Sequence, residues 1–150
     1  MKTVETVIAG HPFLRGLAPV HLRLLSDNAM RMSYDAGEII FYKGDPANRF
    51  YLIEQGRVSL ESPRRDQAPV VVQVIGPGDV LGWSWIFPPY DWQFDARAVE
   101  PTTAIFFYGT RLREQCDEDH DFGFEMMKRM TQVVIHRLQA TRKQLLSTRR

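Results

Sequence analysis

A chain of 150 residues is long enough for one domain with one hydrophobic core. Its hydrophobic fraction of 44% and charged fraction of 25% are typical of a folded globular protein and exclude a disordered chain. The net charge of +1 lacks the basic bias of a dedicated nucleic-acid binder. The single cysteine, Cys116, excludes an intrachain disulfide. Because no signal peptide or apolar run of membrane length is visible, we expect a cytoplasmic protein without a membrane anchor.

The first 33 residues predict a helical segment. Residues 11–17 read as a short turn that packs through Phe13 and Leu14. Residues 19–32 place apolar side chains three and four positions apart, and Pro19 suits the first turn of a helix. The pattern therefore predicts a helix over 19–32.

Residues 34–108 predict an antiparallel β-structure, because short β-rich runs alternate with turn residues at even spacing. Gln55-Gly56 between two such runs is a good hairpin turn, since glycine can adopt a positive φ. The predicted strands are 39–42, 50–54, 58–61, 70–75, 95–99 and 104–108.

Residues 109–150 predict C-terminal helices, with one long helix over 122–146. Acidic residues 117–121 lie where this helix begins, at the positive end of its dipole. Its apolar stripe either packs on the β-structure or forms a homodimer seam. We favour the homodimer seam, because a helix this long extends beyond the hydrophobic core of a small domain. The candidate dimerisation residues are Met127, Met130, Val134, Leu138, Thr141 and Leu145.

Three strings carry a family resemblance. They read AGEIIFYKGDPA at 36–47, FYLIEQGRV at 50–58 and IGPGDVLG at 75–82. Together they resemble the cyclic nucleotide-binding domain, and the resemblance covers roughly residues 11–146. It implies a mainly β fold with flanking helices (α+β): an antiparallel β-roll of the jelly-roll type, short N-terminal helices and a long C-terminal helix. It also implies a regulatory sensor.

In that family, the loop after the Pro-Gly-Asp turn holds the cyclic phosphate. A Gly-Glu pair opens the loop, the Glu binds a ribose hydroxyl, and an Arg about ten residues later pairs with the phosphate. Here Gly82 matches, whereas Trp83 stands at the Glu position. The resemblance aligns Trp92 with the phosphate Arg, or Gln93 if the loop is one residue short. Neither residue supplies a cation.

Arg97 is the one cation in this loop and the strand after it. The resemblance matches it to a second family Arg that usually lies outside the pocket. We therefore expect a salt bridge or an exposed position for Arg97 rather than a phosphate clamp. Asp91 and Asp95 would repel a phosphate if they pointed inward.

The loop is rich in aromatic residues, with six between positions 83 and 94. They either fill the old pocket, which we favour, or wall a pocket for a flat or apolar ligand with Gln93 and Ser84 as polar handles. The candidate ligand-binding residues are Leu81, Gly82, Trp83, Ser84, Trp85, Trp92, Gln93, Phe94 and Arg97.

Other chemistries find little support. No nucleophile motif, phosphate-binding loop or dinucleotide fingerprint is present, so we expect no enzyme. Alternating acidic residues at 117–121 resemble a calcium loop, but Phe122 stands where that loop needs Gly. Cys116 and His120 lack the further ligands of a metal site. We expect no metal, and no cofactor beyond the open question of a cyclic nucleotide.

Three functions are compatible with these sequence features. The first is a stand-alone sensor that dimerises and signals through a partner protein, which Arg137 or Arg142 would meet. The second is a genuine cyclic AMP or cyclic GMP receptor that uses Arg97, or backbone N–H groups near Gly82 and Ser84. The third is a transcription regulator that acts through a partner. The chain ends at Arg150, soon after the long helix, so we expect no direct DNA binding.

Overall fold

The computed structural model describes residues 2–148, so predictions that concern Met1, Arg149 and Arg150 lie outside the described residues. Within that range the fold is a β-roll of two four-stranded antiparallel sheets with helices at both ends of the chain. The strands are β1 (Ala29–Tyr34), β2 (Ile39–Phe41), β3 (Arg49–Gln55), β4 (Val58–Arg64), β5 (Gln67–Ile75), β6 (Val80–Leu81), β7 (Asp95–Ala98) and β8 (Thr102–Tyr108). The helices are α1 (Val4–Gly10), α2 (Pro19–Ser26), α3 (Gly109–Glu118) and α4 (His120–Ser147), with a 3-10 turn at Pro12–Leu14. The predicted fold class is confirmed.

The first sheet has the order β1-β8-β3-β6, and the second has the order β2-β7-β4-β5. Both faces of β3 are buried, so this strand is apolar along most of its length rather than alternating. Phe50 and Leu52 pack in a core with the helices, whereas Tyr51 and Ile53 pack in a second core between the sheets. The chain thus has two cores that share one sheet.

The predicted helix over 19–32 is wrong at its C-terminal end. α2 ends at Ser26, and the next segment is β1, which pairs in register with β8 from Ala29 opposite Phe107 to Tyr34 opposite Thr102. The Asn28 side chain donates to the Leu24 carbonyl oxygen 2.9 Å away and closes the helix. Apolar residues at 29–32 suit either structure, and pairing with a central strand decides between them. The roll therefore begins inside the segment predicted to be helical.

The predicted long helix is confirmed as α4, which spans 28 residues. Asp119 caps it, because its Oδ1 accepts the Phe122 N–H at 3.1 Å. Among residues 2–148, no helix combines the length and the apolar character needed to cross a membrane.

α4 presents two different faces. One face packs on the first core through Phe122, Met126 and Met130. Met130 was predicted to be a dimerisation residue, but it is fully buried within its own chain and cannot meet a partner. The reason is helical phase, since Met130 lies four residues after Met126 on the inner face. The opposite face leaves large apolar side chains exposed, and these are Phe124, Met127, Ile135, Leu138, Leu145 and Leu146.

Candidate functional site

The candidate site is the loop between β6 and β7, residues 82–94, which we call the cassette. Its far end is tied by backbone hydrogen bonds to the turn before β3. The Gly44 N–H donates to the Trp92 carbonyl oxygen at 2.8 Å, and the Trp92 N–H donates to the Asp45 carbonyl oxygen at 3.0 Å. The Ala47 N–H donates to the Tyr90 carbonyl oxygen at 2.7 Å. One turn, residues 44–47, which is distant in sequence, thus holds the cassette against the roll.

Trp92 lies inside the roll, with 3% of its surface exposed. Its ring stacks on Phe41 with a centroid distance of 3.8 Å and an interplanar angle of 7°. A Cβ built on Gly82 would lie 2.7 Å from Cη2 and Cζ3 of Trp92. Gly82 also has a φ of +96°, a conformation that favours glycine. The ring therefore occupies the space directly over the glycine that opens the cassette.

Trp83 and Phe94 complete this aromatic group at the edge of the roll. Their rings lie 5.4 Å apart, and Phe94 lies 5.7 Å from Phe41. Both side chains are half-buried, and Phe94 packs on the core that contains Trp92, whereas Trp83 packs on the core with the helices. Leu81 is buried in β6 and belongs to the same core as Trp92.

Trp85 belongs to the other core. It is fully buried and stacks on Phe50 with centroids 4.8 Å apart, on the helix side of the first sheet. Its carbonyl oxygen accepts from Arg113 Nη1 at 2.5 Å, and the Arg113 guanidinium lies 4.0 Å from the centre of the Tyr90 ring. Trp85 therefore anchors the cassette to α3 and does not join the group around Gly82.

The polar candidates do not converge. Gln93 is exposed and donates to the Asp91 carbonyl oxygen of its own loop at 2.9 Å. Ser84, which directly precedes Trp85 in the sequence, is buried. Asp91 and Asp95 are half-buried, and the Asp95 Oδ1 accepts the Lys43 N–H at 2.7 Å.

Arg97 is held in an ion pair on β7. Its Nε lies 3.3 Å from Glu61 Oε2, and its Nη1 donates to the Gly37 carbonyl oxygen at 3.2 Å. The Glu61 carboxylate is buried and also accepts a short hydrogen bond from the Ser59 hydroxyl. Sequence reasoning missed Glu61 and Ser59, because their proximity depends on the register of β4 against β7, which pairs Ser59 with Arg97. The one available signal was that polar Ser59 and Glu61 alternate with apolar residues in a predicted strand.

Three cavities of about 500, 500 and 610 Å³ lie between the helices and the roll or beside α3 and α4, and the third is lined in part by Ile86, Pro88 and Tyr90 of the cassette. None of the three is lined by Gly82, Trp92 or Arg97. Over residues 2–148, no group of three or more His, Cys, Asp or Glu side chains is placed to hold a metal ion.

Comparison with known proteins decides the family. The model of the cyclic nucleotide-binding domain matches residues 31–119, which is more than half of the chain. This chain belongs to the cyclic nucleotide-binding domain family. The family match covers most of the β-roll, the whole cassette and α3.

Relatives of this domain include the cyclic AMP receptor protein of Thermus thermophilus, 29% identical over 66% of this chain and 46% of the receptor. The acetyltransferase Pat of Mycolicibacterium smegmatis is 33% identical over 50% of this chain and 22% of the enzyme. A Geobacter metallireducens GS-15 structure, assigned to the cyclic nucleotide-binding proteins, superposes with a TM-score of 0.82 at 24% identity. That match covers 91% of this chain and 99% of the other. The chain thus spans less than half the length of both curated relatives.

Proposed function

We propose that this domain is a non-enzymatic regulatory sensor in which buried aromatic side chains replace the usual contacts to a cyclic nucleotide. The observation that carries the proposal is Trp92, which lies buried over Gly82. The resemblance aligns either Trp92 or Gln93 with the phosphate Arg of the family. A buried phosphate needs a cation and N–H donors. An indole ring at that position supplies no cation and occupies the space itself.

The ion pair of Arg97 supports the same proposal. If Arg97 turned toward a cyclic phosphate, the buried Glu61 carboxylate would lose its cation. Leaving a buried charge uncompensated costs about 3 kcal/mol. Ligand binding would have to offset this free-energy cost. The ion pair therefore favours a structural role for Arg97 in the roll over a role in ligand binding.

The alternative is a genuine cyclic AMP or cyclic GMP receptor with a rebuilt pocket. Family membership favours it, as does the left-handed turn at Gly82, since N–H groups near Gly82 and Ser84 remain available as donors to a phosphate. In such a receptor Trp92 would have to swing out and expose its ring, and Arg97 would have to leave Glu61 if it, rather than the backbone N–H groups, held the phosphate.

A thermal-shift titration separates the two. Cyclic AMP and cyclic GMP are added up to millimolar concentration, and we expect the melting temperature to stay constant. A ligand that binds only the folded state must raise the melting temperature by mass action. At a ligand concentration of one hundred times the Kd, the free energy of unfolding rises by about 2.7 kcal/mol. A saturable rise that disappears in Arg97→Gln would contradict the proposal and establish the rebuilt pocket. The matched control is Arg57→Gln, which removes an exposed cation that lies 3.9 Å from Glu100.

The output surface of the proposed sensor is the outer face of α4. Large apolar side chains are exposed along it, and Leu138 is 66% exposed. We propose that this face forms a homodimer seam through Met127, Val134, Leu138, Thr141 and Leu145, with Thr131 in place of Met130 in the three-and-four spacing.

Signalling would then pass to a partner protein, and a regulator in which the partner binds DNA is one form of this. Arg142 is exposed and available to such a partner. Arg137 is not, because it is buried. The free thiol of Cys116 suits the reducing cytoplasm, where we place this function.

The acetyltransferase relative contains a domain of this family as a small part of a longer enzyme. A regulatory role for this domain is compatible with a catalytic or non-catalytic neighbour. The proposal of a non-enzymatic function therefore concerns the described domain.

A further inference from the structure

A second cavity of about 500 Å³ lies between the 3-10 turn, the Gly76–Asp79 turn and α4. Its charged and titratable lining residues are Arg15, Asp79, Lys128, Arg129, His136 and Arg137. Four cationic side chains thus face one carboxylate. This basic cavity is separate from the cassette and is not lined by any of its residues.

Arg137 is an unusual residue for this position, because it is only 8% exposed. Its Nη2 donates to the Val80 carbonyl oxygen, whereas its buried Nε finds no acceptor within residues 2–148. Asp79 is the nearby carboxylate, but no ion pair joins it to Arg137 in the described residues, and its Oδ2 accepts the Gly76 N–H at 2.9 Å. A buried guanidinium with a single neutral acceptor is under-compensated, since buried charges normally have a partner.

The other cations differ in how far they are already neutralised. Glu125 lies 3.3 Å from Lys128 Nζ and 3.1 Å from Arg129 Nη2, so it balances part of their charge. Arg15 is exposed at the mouth and forms no ion pair in the part of the chain that the structure describes. Arg15 and Arg137, two guanidinium groups from different elements, are thus the cavity cations that form no direct ion pair within the described residues.

The wall is also fixed in place. Arg129 Nη1 donates to the Phe13 carbonyl oxygen at 2.7 Å and to the Arg15 carbonyl oxygen at 3.0 Å. These bonds tie the backbone that carries Arg15 to α4, so the two elements do not need to be brought together when a ligand arrives. Pre-organisation of this kind lowers the entropic cost of binding.

We propose that the basic cavity binds a phosphate group, with Arg15 and Arg137 as its principal ligands. Guanidinium groups match the geometry of phosphate oxygens, and a dianion could pair with both of the cations that lack an ion pair of their own. Such a ligand would join the N-terminal segment, the Gly76–Asp79 turn and α4, and it would stabilise the packing of α4 on the roll. The phosphate group comes either as free orthophosphate or as part of a larger phosphate ester.

The test is thermal denaturation of the complete chain with inorganic phosphate or methyl phosphate. Both are used between 0.1 and about 10 mM at constant ionic strength in chloride, a range below the general salting-out effect of phosphate. We expect a saturable stabilisation, about tenfold in the folding equilibrium at ten times the Kd. A response to inorganic phosphate alone would indicate the free anion, and a tighter response to methyl phosphate would indicate an ester.

Two variants and one control make the result specific. Arg15→Gln removes an exposed cation, leaves folding intact and weakens phosphate binding by about fivefold. Arg137→Met removes the buried charge while keeping the apolar stem, so it abolishes the phosphate response without lowering stability in phosphate-free buffer. Arg111→Gln, an exposed change outside the basic cavity, keeps the wild-type response. No saturable shift in the wild type, or a shift that persists in Arg15→Gln and Arg137→Met, would overturn the proposal.

Discussion

Gly56 shows how one residue without a side chain controls the hairpin between β3 and β4. Its φ is +95°, and a Cβ at this position would lie 2.5 Å from the Pro101 carbonyl oxygen and closer still to Thr102 Oγ1. Gly44 has a similar φ of +92°, but open space surrounds it. A comparison of the two positions therefore separates the free-energy cost of the left-handed backbone conformation from the cost of a steric clash.

We expect Gly44→Ala to lower the free energy of unfolding by about 1 kcal/mol, which is the cost of the left-handed conformation. Gly56→Ala should cost roughly 2–4 kcal/mol, because backbone atoms of the loop before β8 must also move. Urea denaturation of both variants measures the difference. Equal losses in the free energy of unfolding would show that the loop before β8 moves aside at little cost.

Trp92 and Trp83 form a similar pair within the cassette, since one ring is buried and the other half-buried. Trp92→Ala should cost about 3–5 kcal/mol because it empties part of the core, whereas Trp83→Ala should cost about 1 kcal/mol. An apolar cavity of this kind accepts small aromatic molecules. Indole should therefore raise the melting temperature of Trp92→Ala and leave Trp83→Ala unchanged. Equal costs, with no rescue by indole, would mean that Trp92 contributes little to the core.

At the scale of elements, α4 is long enough to serve two partners. Its 28 residues span about 42 Å, and its last positions, from Thr141 to Ser147, are all exposed. The inner face packs on the roll, whereas the outer apolar face has no partner within the described chain. A second copy of α4 would cover it in the manner of a coiled coil.

Leu138→Glu tests this seam, because a charge at a position covered by a partner helix blocks association. We expect sedimentation equilibrium to give a dimer for the wild type at high concentration and a monomer for Leu138→Glu. Gln139→Glu adds the same charge at a neighbouring exposed position and should remain dimeric. A wild type that stays monomeric at several hundred micromolar would reject the seam.

Folding of the whole molecule is linked to pH through His11. Its Nδ1 accepts the Phe13 N–H at 3.2 Å, and its buried Nε2 has no partner in the described residues. Burial lowers the pKa of His11 from its ordinary value of 6.5, and the charge of Asp79 offsets this only in part. The unfolded chain therefore takes up a proton more readily than the folded chain does, and stability falls as the pH drops through 6.5.

His11→Asn should remove this dependence, because the Asn side-chain oxygen can still accept the Phe13 N–H. We expect the free energy of unfolding of the wild type to fall more than that of the variant between about pH 7.5 and pH 5. Urea denaturation across this range measures both slopes. Parallel curves would show that His11 is equally easy to protonate in the folded and unfolded chains.

The sequence by itself determined the fold class, the hairpin at Gly56 and the long C-terminal helix, because local patterns carry these features. Turn glycines and the period of apolar residues act within a few positions of one another, so they can be recognised along the chain. The aromatic character of the cassette was visible in the same way.

Only the tertiary structure decided which faces these elements present. Residues 29–32 became a strand because β8 was available to pair with them, and Met130 turned inward because the roll fixed the phase of α4. Glu61 meets Arg97, and Arg15 joins Arg137 beside one cavity, through strand register and helix packing between segments far apart in the chain. Such contacts depend on how whole elements are placed, and no local pattern encodes that placement.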